Sequence, residues 1–288
     1  MTNRDVINNF NTYLYAVLYL NQATITNYTY EIKLFLEYLE NNNLSEKYHS
    51  VNFTEYLNYR QATFKSKGTV NNYIKAVKIF YQFLLEERII ERDYSETLES
   101  ITPTYKIPYV LNCYQLHCIF NQFTKHSETS YRDIAILETL YSTGCRVNEL
   151  LNMKMYDYKK EASSVIGKNN SERLVIFNKL AIKRIEFYQS NRKVNSDLMF
   201  TNLKGIKLSA KYINKMIDEV CIKALIPFKV TAHTFRHTFA THIYEGGANI
   251  IQVKDLLGHQ TVATTEIYAH IVGVEHLRKE LQLKHPRW

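Results

Sequence analysis

The chain is poor in the two residues that make most tight turns. It has 8 glycines and 4 prolines in 288 residues. A protein rich in β-sheet needs many tight turns, and these turns depend on glycine and proline for backbone conformations that other residues resist. The shortage therefore predicts a mainly α-helical fold with a small β-sheet.

Two of the prolines, Pro103 and Pro108, stand close together in a stretch without helical periodicity. Proline lacks a backbone N–H and resists continuation of a helix. A chain of this length is long enough to form two domains, each with its own core. We therefore predict an N-terminal helical domain over 1–98, an interdomain linker over 99–110 and a second domain over 111–288.

Two segments of the N-terminal domain carry apolar residues at helical spacing. Thr24 or Thr26 can cap the first helix, and Ser66 or Thr69 can begin the second. The predicted apolar stripes are Tyr28, Ile32, Phe35, Leu36 and Leu39 on the first helix, and Val70, Ile74, Val77, Tyr81, Leu84 and Leu85 on the second.

The second domain contains one pattern typical of a β-hairpin. Two runs rich in β-branched residues, 163–167 and 173–177, flank the polar segment Lys168-Asn-Asn-Ser-Glu172. The helices predicted around this hairpin lie at about 115–124, 130–143, 146–153, 179–190, 209–225, 231–246, 249–257, 261–271 and 274–283.

A formal net charge of +8 indicates a polyanionic partner, usually a nucleic acid. Lys65, Lys67, Lys75 and Lys78 lie along or beside the second N-terminal helix, as either an ordinary solvated surface or a DNA-facing one. No C-x-x-C pair indicates a zinc or redox motif, and no apolar run is long enough for a membrane span. We expect a cytoplasmic protein with no metal, no cofactor and no membrane partner.

His233 and Arg236 lie on one face of a predicted helix, because residues three or four apart share a side. His237 shares that face, so a metal site has to be considered. The helix lacks the glutamate of an H-E-x-x-H motif, and the charge of Arg236 would repel a cation. We therefore predict that the helix directs a His/Arg pair into a cleft, while His237 and His242 are structural.

Two glycine turns precede further polar side chains. Gly144 comes before Arg146 at a predicted helix start, where a guanidinium and backbone N–H groups together would favour an anion. Gly258 suits a helix C-terminus, since it tolerates a left-handed turn. His259 follows it directly, and the next predicted helix carries Tyr268.

These side chains together suit an attack on a phosphodiester, which builds negative charge on the phosphoryl oxygens. Arg146 and Arg236 can each bind two oxygens, and His233 and His259 can donate hydrogen bonds or transfer protons. Because these cations are side chains, the reaction needs no metal ion.

Tyr268 can act as the nucleophile if its phenol is activated. Lys168, at the tip of the predicted hairpin, can protonate the leaving 5′ oxygen, and Lys159 and Lys160 are nearby alternatives for that role. A phosphotyrosine bond keeps the energy of the broken DNA linkage, so ATP is not needed.

The ordered set of motifs resembles the tyrosine recombinases of the phage-integrase family, over nearly the whole chain. The matching segments are Thr143-Gly-x-Arg146-x-x-Glu149-Leu, Gly167-Lys168, His233-x-x-Arg236-His, Leu256-Leu-Gly-His259 and Tyr268. The resemblance implies a helical, SAM-like core-binding domain before a mixed α/β catalytic domain, the two forming a clamp around DNA.

The resemblance also implies the roles of the site residues. Tyr268 attacks to give a 3′-phosphotyrosine and a free 5′ hydroxyl, and the other five assist. Four protomers would assemble on two double-stranded DNA sites and exchange strands through a Holliday junction, as a homotetramer or as a heterotetramer with a related recombinase. The five assisting residues are Arg146, Lys168, His233, Arg236 and His259.

The final residues, His285-Pro-Arg-Trp288, resemble the ending of the Xer recombinases, which resolve chromosome dimers at cell division. A Xer-like role in chromosome or plasmid partition is therefore expected, and a regulatory DNA translocase is a further partner that the resemblance allows. Val274, Leu277 and Leu281 form an apolar stripe that docks either in a neighbouring protomer or on its own domain.

Four other functions stay open from the sequence. A mobile-element integrase or a transposon cointegrate resolvase of the same family differs in its DNA site and its genomic neighbourhood. A non-catalytic DNA-binding protein on the same fold would not need the nucleophile. A type IB topoisomerase shares the chemistry, and a metal-dependent nuclease would need a cluster of carboxylates.

Overall fold

The computed structural model describes residues 2–42, 48, 50–61, 67–96, 98–100, 108–159, 163–166 and 172–258. They belong to two compact units, Met1–Lys106 and Ile107–Trp288. The described part of the chain is mainly helical and contains one two-stranded sheet, which confirms the predicted fold class. The bounds of the domains and the linker stay predictions.

The first unit contains α1 (Asn3–Ala16), α2 (Gln22–Asn41), α3 (Ser50–Gln61) and α4 (Lys67–Glu86). Helices α1, α2 and α4 pack against one another, and α3 packs against α2. Their shared core is aromatic: the rings of Phe10 and Phe80 meet edge to face with centroids 5.2 Å apart. Rigid rings of this size hold the helices through apolar burial and ring contacts.

The structure corrects three details of the first unit. Asn21 caps α2 by accepting a hydrogen bond from the amide of Thr24, so neither Thr24 nor Thr26 is the cap. Leu85 lies 40% exposed beside the buried Leu84, because the apolar stripe of α4 is narrower than predicted. Helix α3 was not predicted.

The second unit is built around α6 (Glu128–Thr143), which packs against α8 (Lys179–Asn191) and α10 (Ala232–Glu245). Because neighbours cover α6 on several sides, the run Ile134-Ala-Ile-Leu137 is entirely buried. The other described helices of this unit are α5 (Cys113–Phe120), α7 (Val147–Asn152), α9 (Ala210–Lys223) and α11 (Ile250–Leu257).

The predicted hairpin is confirmed as the antiparallel pair β1 (Ser163–Ile166) and β2 (Glu172–Val175). Val165 and Val175 are buried, whereas Leu174 is exposed, as expected of strands with one covered face. The hairpin tip with Lys168, and the helices predicted at 261–271 and 274–283, lie outside the described residues.

All four cysteines are free thiols. None of the helices in the described part of the chain has the combination of length and apolar character that crossing a membrane requires.

Candidate active site

Gly144 ends α6 in the left-handed conformation, with φ 56° and ψ 24°. A Cβ atom at this position would collide with the ring of Phe239, a buried residue of α10. The backbone and the available space therefore both require glycine here. The chain turns sharply, and Arg146 follows two residues later as the N-cap of α7.

Glu149 fixes the guanidinium of Arg146 from the protein side. Arg146 Nη1 donates to Glu149 Oε1 at 2.8 Å, and the side chains are 34% and 2% exposed, respectively. The backbone N–H of Arg146 donates to Glu149 Oε2 at 2.9 Å. The structure therefore corrects the expectation that this amide binds an anion: Glu149 occupies it, and the guanidinium is the group that reaches the surface.

The carboxylate of Glu149 stays ionised despite its burial. Burial by itself raises the pKa of this group, but hydrogen bonds and positive charge from Arg173 and Arg146 outweigh it and hold the pKa below its ordinary value. An ionised carboxylate is a strong acceptor for both guanidinium groups.

Arg236 joins the ends of two helices. Its Nη1 donates to the carbonyl oxygen of Gly144 at 2.8 Å, and its Nη2 donates to the carbonyl oxygen of Leu257 at 2.6 Å. Carbonyls at helix C-termini lack partners within the helix and carry partial negative charge, so a cation satisfies them well. A guanidinium has five N–H donors in a planar fork, so one side chain can reach both carbonyls at once.

The burial of Arg236 corrects the predicted picture of α10. The side-by-side placement of His233 and Arg236 suggested a polar face open to a cleft, but Arg236 is only 3% exposed and Ala240 on the same face is fully buried. Arg236 is placed near the site by the two helix ends that it binds, whereas His233, one turn earlier, reaches the surface.

The surroundings of His233 disfavour the protonated form of its ring. Partial burial of its ring, together with the positive charges of Arg236 and Arg146, lowers its pKa below the ordinary value. The ring of His237 lies 5.4 Å away at a right angle, and burial is the main cause that lowers the pKa of His237 to about 4. His242 forms a hydrogen bond with Tyr141 at 2.9 Å, as expected of a structural histidine.

Gly258 ends α11 in the left-handed conformation, with φ 63° and ψ 47°, as predicted. Arg173 of β2 reaches this end of the helix and donates from Nη1 to the carbonyl oxygen of Leu256 at 2.5 Å. Its Nη2 donates to Glu149 Oε2 at 2.8 Å. Arg173 was not predicted as a site residue. Its place in the hairpin was the available signal, because a charged residue at an inward strand position, opposite the buried Val165, needs a buried partner.

The site is therefore net positive. Among the described residues of this network there are three guanidinium groups, those of Arg146, Arg173 and Arg236, and one carboxylate, that of Glu149, which binds Arg146 and Arg173. Such an arrangement favours an anionic ligand, and guanidinium groups match the geometry of phosphate oxygens. No group of three or more His, Cys, Asp or Glu side chains in the described ranges could hold a metal ion.

Two family models match the chain. One, described as the phage integrase family, matches residues 114–273, and one described as the N-terminal SAM-like domain of phage integrases matches residues 7–88. The first alone covers more than half of the chain. The chain belongs to the phage integrase family.

Within the phage integrase family the chain is Xer-like. It is 35% identical to the tyrosine recombinase XerD of Staphylococcus saprophyticus over 211 residues, which cover 70% of each protein. The crystal structure of XerA recombinase is 27% identical, with a TM-score of 0.55 over 100% of both chains. The structure of XerH bound to palindromic difH substrate, a post-cleavage complex, is 23% identical and has a TM-score of 0.75. The match covers 89% of this chain and 79% of the XerH chain, and it supports the fold alone.

The described structure brings together three of the six predicted site residues of this phage integrase family member. Arg146 and Arg236 are linked through the turn at Gly144, and their charges both act on His233. The other three, Lys168, His259 and Tyr268, lie outside the described residues. So does Lys160, whereas the alternative lysine Lys159 has its Nζ 5.1 Å from the ring centroid of Tyr156.

Proposed function

We propose that this chain is a Xer-like site-specific recombinase that cuts and rejoins DNA through a covalent bond to Tyr268. The observation that carries the proposal is the net-positive cluster of Arg146, His233 and Arg236, anchored at the turn of Gly144 and at the end of α11. In the sequence, His259 follows that end directly, and Tyr268 comes after it.

Arg146 and Arg236 are proposed to bind the nonbridging oxygens of the scissile phosphate. Glu149 orients Arg146, and part of the Arg146 side chain reaches solvent. Two backbone carbonyls orient Arg236. A preorganised pair of guanidinium groups stabilises the charge that develops on the phosphoryl oxygens, without having to reorganise as it forms. His233 would donate a hydrogen bond to the same phosphate.

The proposed chemical step forms a bond between the Tyr268 phenolic oxygen and phosphorus and breaks the bond from phosphorus to the 5′ oxygen. The phenolic proton leaves Tyr268, and Lys168 donates a proton to the departing 5′ oxygen. Lys159 and Lys160 are the alternative donors. His259 would hydrogen-bond to the phosphate or help to move the phenolic proton. The products are a 3′-phosphotyrosine and a free 5′ hydroxyl.

Rejoining is the reverse reaction with a different strand. The 5′ hydroxyl of a partner strand attacks the phosphotyrosine, and Tyr268 leaves with its proton restored. We propose that four protomers, of this chain alone or with a related recombinase, hold two double-stranded sites and exchange strands through a Holliday junction, with both units of each chain clamping the DNA. Recombination would take place in the cytoplasm and serve chromosome or plasmid partition at cell division, under control of a DNA translocase.

A nicked DNA substrate tests the covalent step. Cleavage near the nick releases a short fragment, so the covalent protein–DNA adduct accumulates and can be resolved on a denaturing gel in the presence of EDTA. We expect adducts with the wild type and with Tyr156→Phe, which changes an exposed tyrosine of the same unit, and none with Tyr268→Phe. Tight DNA binding without any adduct would instead support the non-catalytic alternative.

Sequencing the DNA trapped in such adducts from the host genome would distinguish the two recombinase roles. One chromosomal or plasmid site supports dimer resolution. Sites at the ends of a transposon or integrated element support the alternative of a mobile-element integrase or a cointegrate resolvase.

A further inference from the structure

We propose that Arg173 is a positioning residue that holds the two phosphate-binding arginines in register. This inference rests on the proposed function. Arg173 contacts neither substrate nor the reacting atoms in the proposed mechanism. It binds Glu149, the partner of Arg146, and it binds the carbonyl of Leu256, next to the Leu257 carbonyl that Arg236 binds.

The first link runs through Glu149. Arg173 Nη2 and the backbone N–H of Arg146 both bind Glu149 Oε2, at 2.8 Å and 2.9 Å, and this leaves Oε1 to accept from Arg146 Nη1. The side chains of Arg173 and Glu149 are 7% and 2% exposed. Without Arg173, the carboxylate would lose one of its two guanidinium partners inside the protein and would be free to rotate away from Arg146.

The second link runs through the end of α11. Arg173 Nη1 binds the carbonyl oxygen of Leu256, and Arg236 Nη2 binds the next carbonyl, that of Leu257. The aliphatic part of Arg173 also occupies the space that a side chain at position 258 would need, so Gly258 has to be glycine for steric reasons as well as for its backbone conformation. Two arginines from β2 and α10 therefore fix adjacent carbonyls at this helix end.

The geometry requires the planar fork of an arginine. One guanidinium reaches a carboxylate on α7 and a carbonyl on α11 at the same time, while its own backbone lies in β2. A lysine ammonium is a single point charge on a flexible stem and would satisfy one partner better than both. Arg173 thereby also connects β2, the strand that follows the hairpin tip in sequence, to the arginine cluster.

The test compares cleavage of two nicked substrates that differ only at the scissile phosphate. One carries the natural phosphate, and the other carries a methylphosphonate, in which a methyl group replaces one nonbridging oxygen and removes the negative charge. Arginines that neutralise this charge contribute much less on the methylphosphonate. A residue that acts only by placing those arginines should likewise contribute to cleavage of the natural phosphate and contribute much less to cleavage of the methylphosphonate.

We expect Arg173→Met to slow single-turnover cleavage of the natural phosphate about 10–100-fold, but cleavage of the methylphosphonate by no more than about threefold. Arg173→Lys keeps the cation and should give a smaller loss on the phosphate, and it serves as the second variant if Arg173→Met does not fold. Equal losses on the two substrates would show general structural damage and overturn the proposal.

Arg192→Met is the matched control. Arg192 belongs to the same unit and likewise donates to one carbonyl, that of Leu198 at 2.9 Å, and to one side chain, that of Thr201 at 3.0 Å. We expect Arg192→Met to leave cleavage of both substrates within about twofold of the wild type, since it does not touch the cluster. A cleavage pattern in Arg173→Met that matches Arg192→Met would likewise overturn the proposal.

Hydrogen exchange of the Arg146 amide provides a readout that does not depend on catalysis. This amide is protected by Glu149, so we expect faster exchange in Arg173→Met and unchanged exchange in Arg192→Met. An inactive wild type would refute the proposed function, while the exchange measurement would still decide whether Arg173 holds Glu149. An active wild type with unchanged exchange in Arg173→Met would refute only the positioning role.

Discussion

Gly144→Ala should damage the second unit far more than the addition of one methyl group suggests. Gly144 has φ 56°, a conformation that costs an L-residue about 1–2 kcal/mol. The added Cβ would also collide with the ring of Phe239. Because Phe239 is only 8% exposed, its ring has no open space to move into, and overpacking of this kind costs about 1–3 kcal/mol. The two effects together predict a loss of about 2–5 kcal/mol.

Gly205→Ala separates the backbone cost from the steric cost. Gly205 has φ 77°, and the nearest atom to an added Cβ lies at 3.7 Å, an ordinary contact distance. We therefore expect a loss of about 1–2 kcal/mol from the backbone alone. Gly144→Ala should also slow cleavage about 10–100-fold, because the Gly144 carbonyl orients Arg236, whereas Gly205→Ala should not.

Hydrogen exchange of amides in α6 and α10 measures the opening free energy of the second unit without interference from the first. Cleavage of the nicked substrate supplies the rate. In Phe239→Leu the ring is gone, so the added cost of Gly144→Ala should fall by about 1–3 kcal/mol. If Gly144→Ala costs no more than Gly205→Ala, or if Phe239→Leu leaves that cost unchanged, the steric reasoning is wrong.

Three further perturbations have definite expected outcomes. Arg236→Lys cannot bind both backbone carbonyls with one ammonium, so cleavage of the nicked substrate should fall at least about 100-fold. The pKa of His237 is about 4 in the folded protein, so the unfolded chain binds the proton first and stability falls between about pH 6.5 and pH 4. His237→Gln should reduce this fall by about 3 kcal/mol, measured by thermal melts across pH. Thr238→Val leaves the buried amide of Leu111 without its 3.0 Å acceptor and should cost about 1–3 kcal/mol by the same exchange measurement. Thr241→Val, at a buried hydroxyl that has no hydrogen-bond partner among the described residues, should cost nothing measurable.

Local sequence patterns predicted most helices of the second unit because residues typical of helix ends mark where these helices stop. Gly144 and Gly258 end α6 and α11 in the left-handed conformation, and each is followed closely by a proposed site residue. Helix α3 was missed because its residues show no clear apolar stripe. The cap of α2 was misplaced because Asn21 and the threonines that follow it are all good N-cap residues, and local sequence does not decide among them.

The site could be predicted as a set of residue types but not as a structure. Spacing places His233 and Arg236 on one helix face, yet only the folded chain shows that Arg236 is buried against carbonyls 92 and 21 residues away in sequence. The same holds for Arg173, whose partners Glu149 and Leu256 are separated from it by 24 and 83 residues. Contacts between distant segments leave no periodic trace, so sequence patterns could not reveal them.

The double use of Arg236 affects how inactive variants and diverged relatives should be interpreted. Its guanidinium closes two helix ends in addition to its proposed contact with DNA, so a mutation there removes structural support and activity together, and a null phenotype cannot be assigned to chemistry. A descendant that lost recombination but kept this fold would still be under selection to retain the arginine. The persistence of Arg236 is therefore evidence of a preserved fold, whereas Tyr268, the proposed nucleophile, is a residue that a descendant that merely binds DNA would not need.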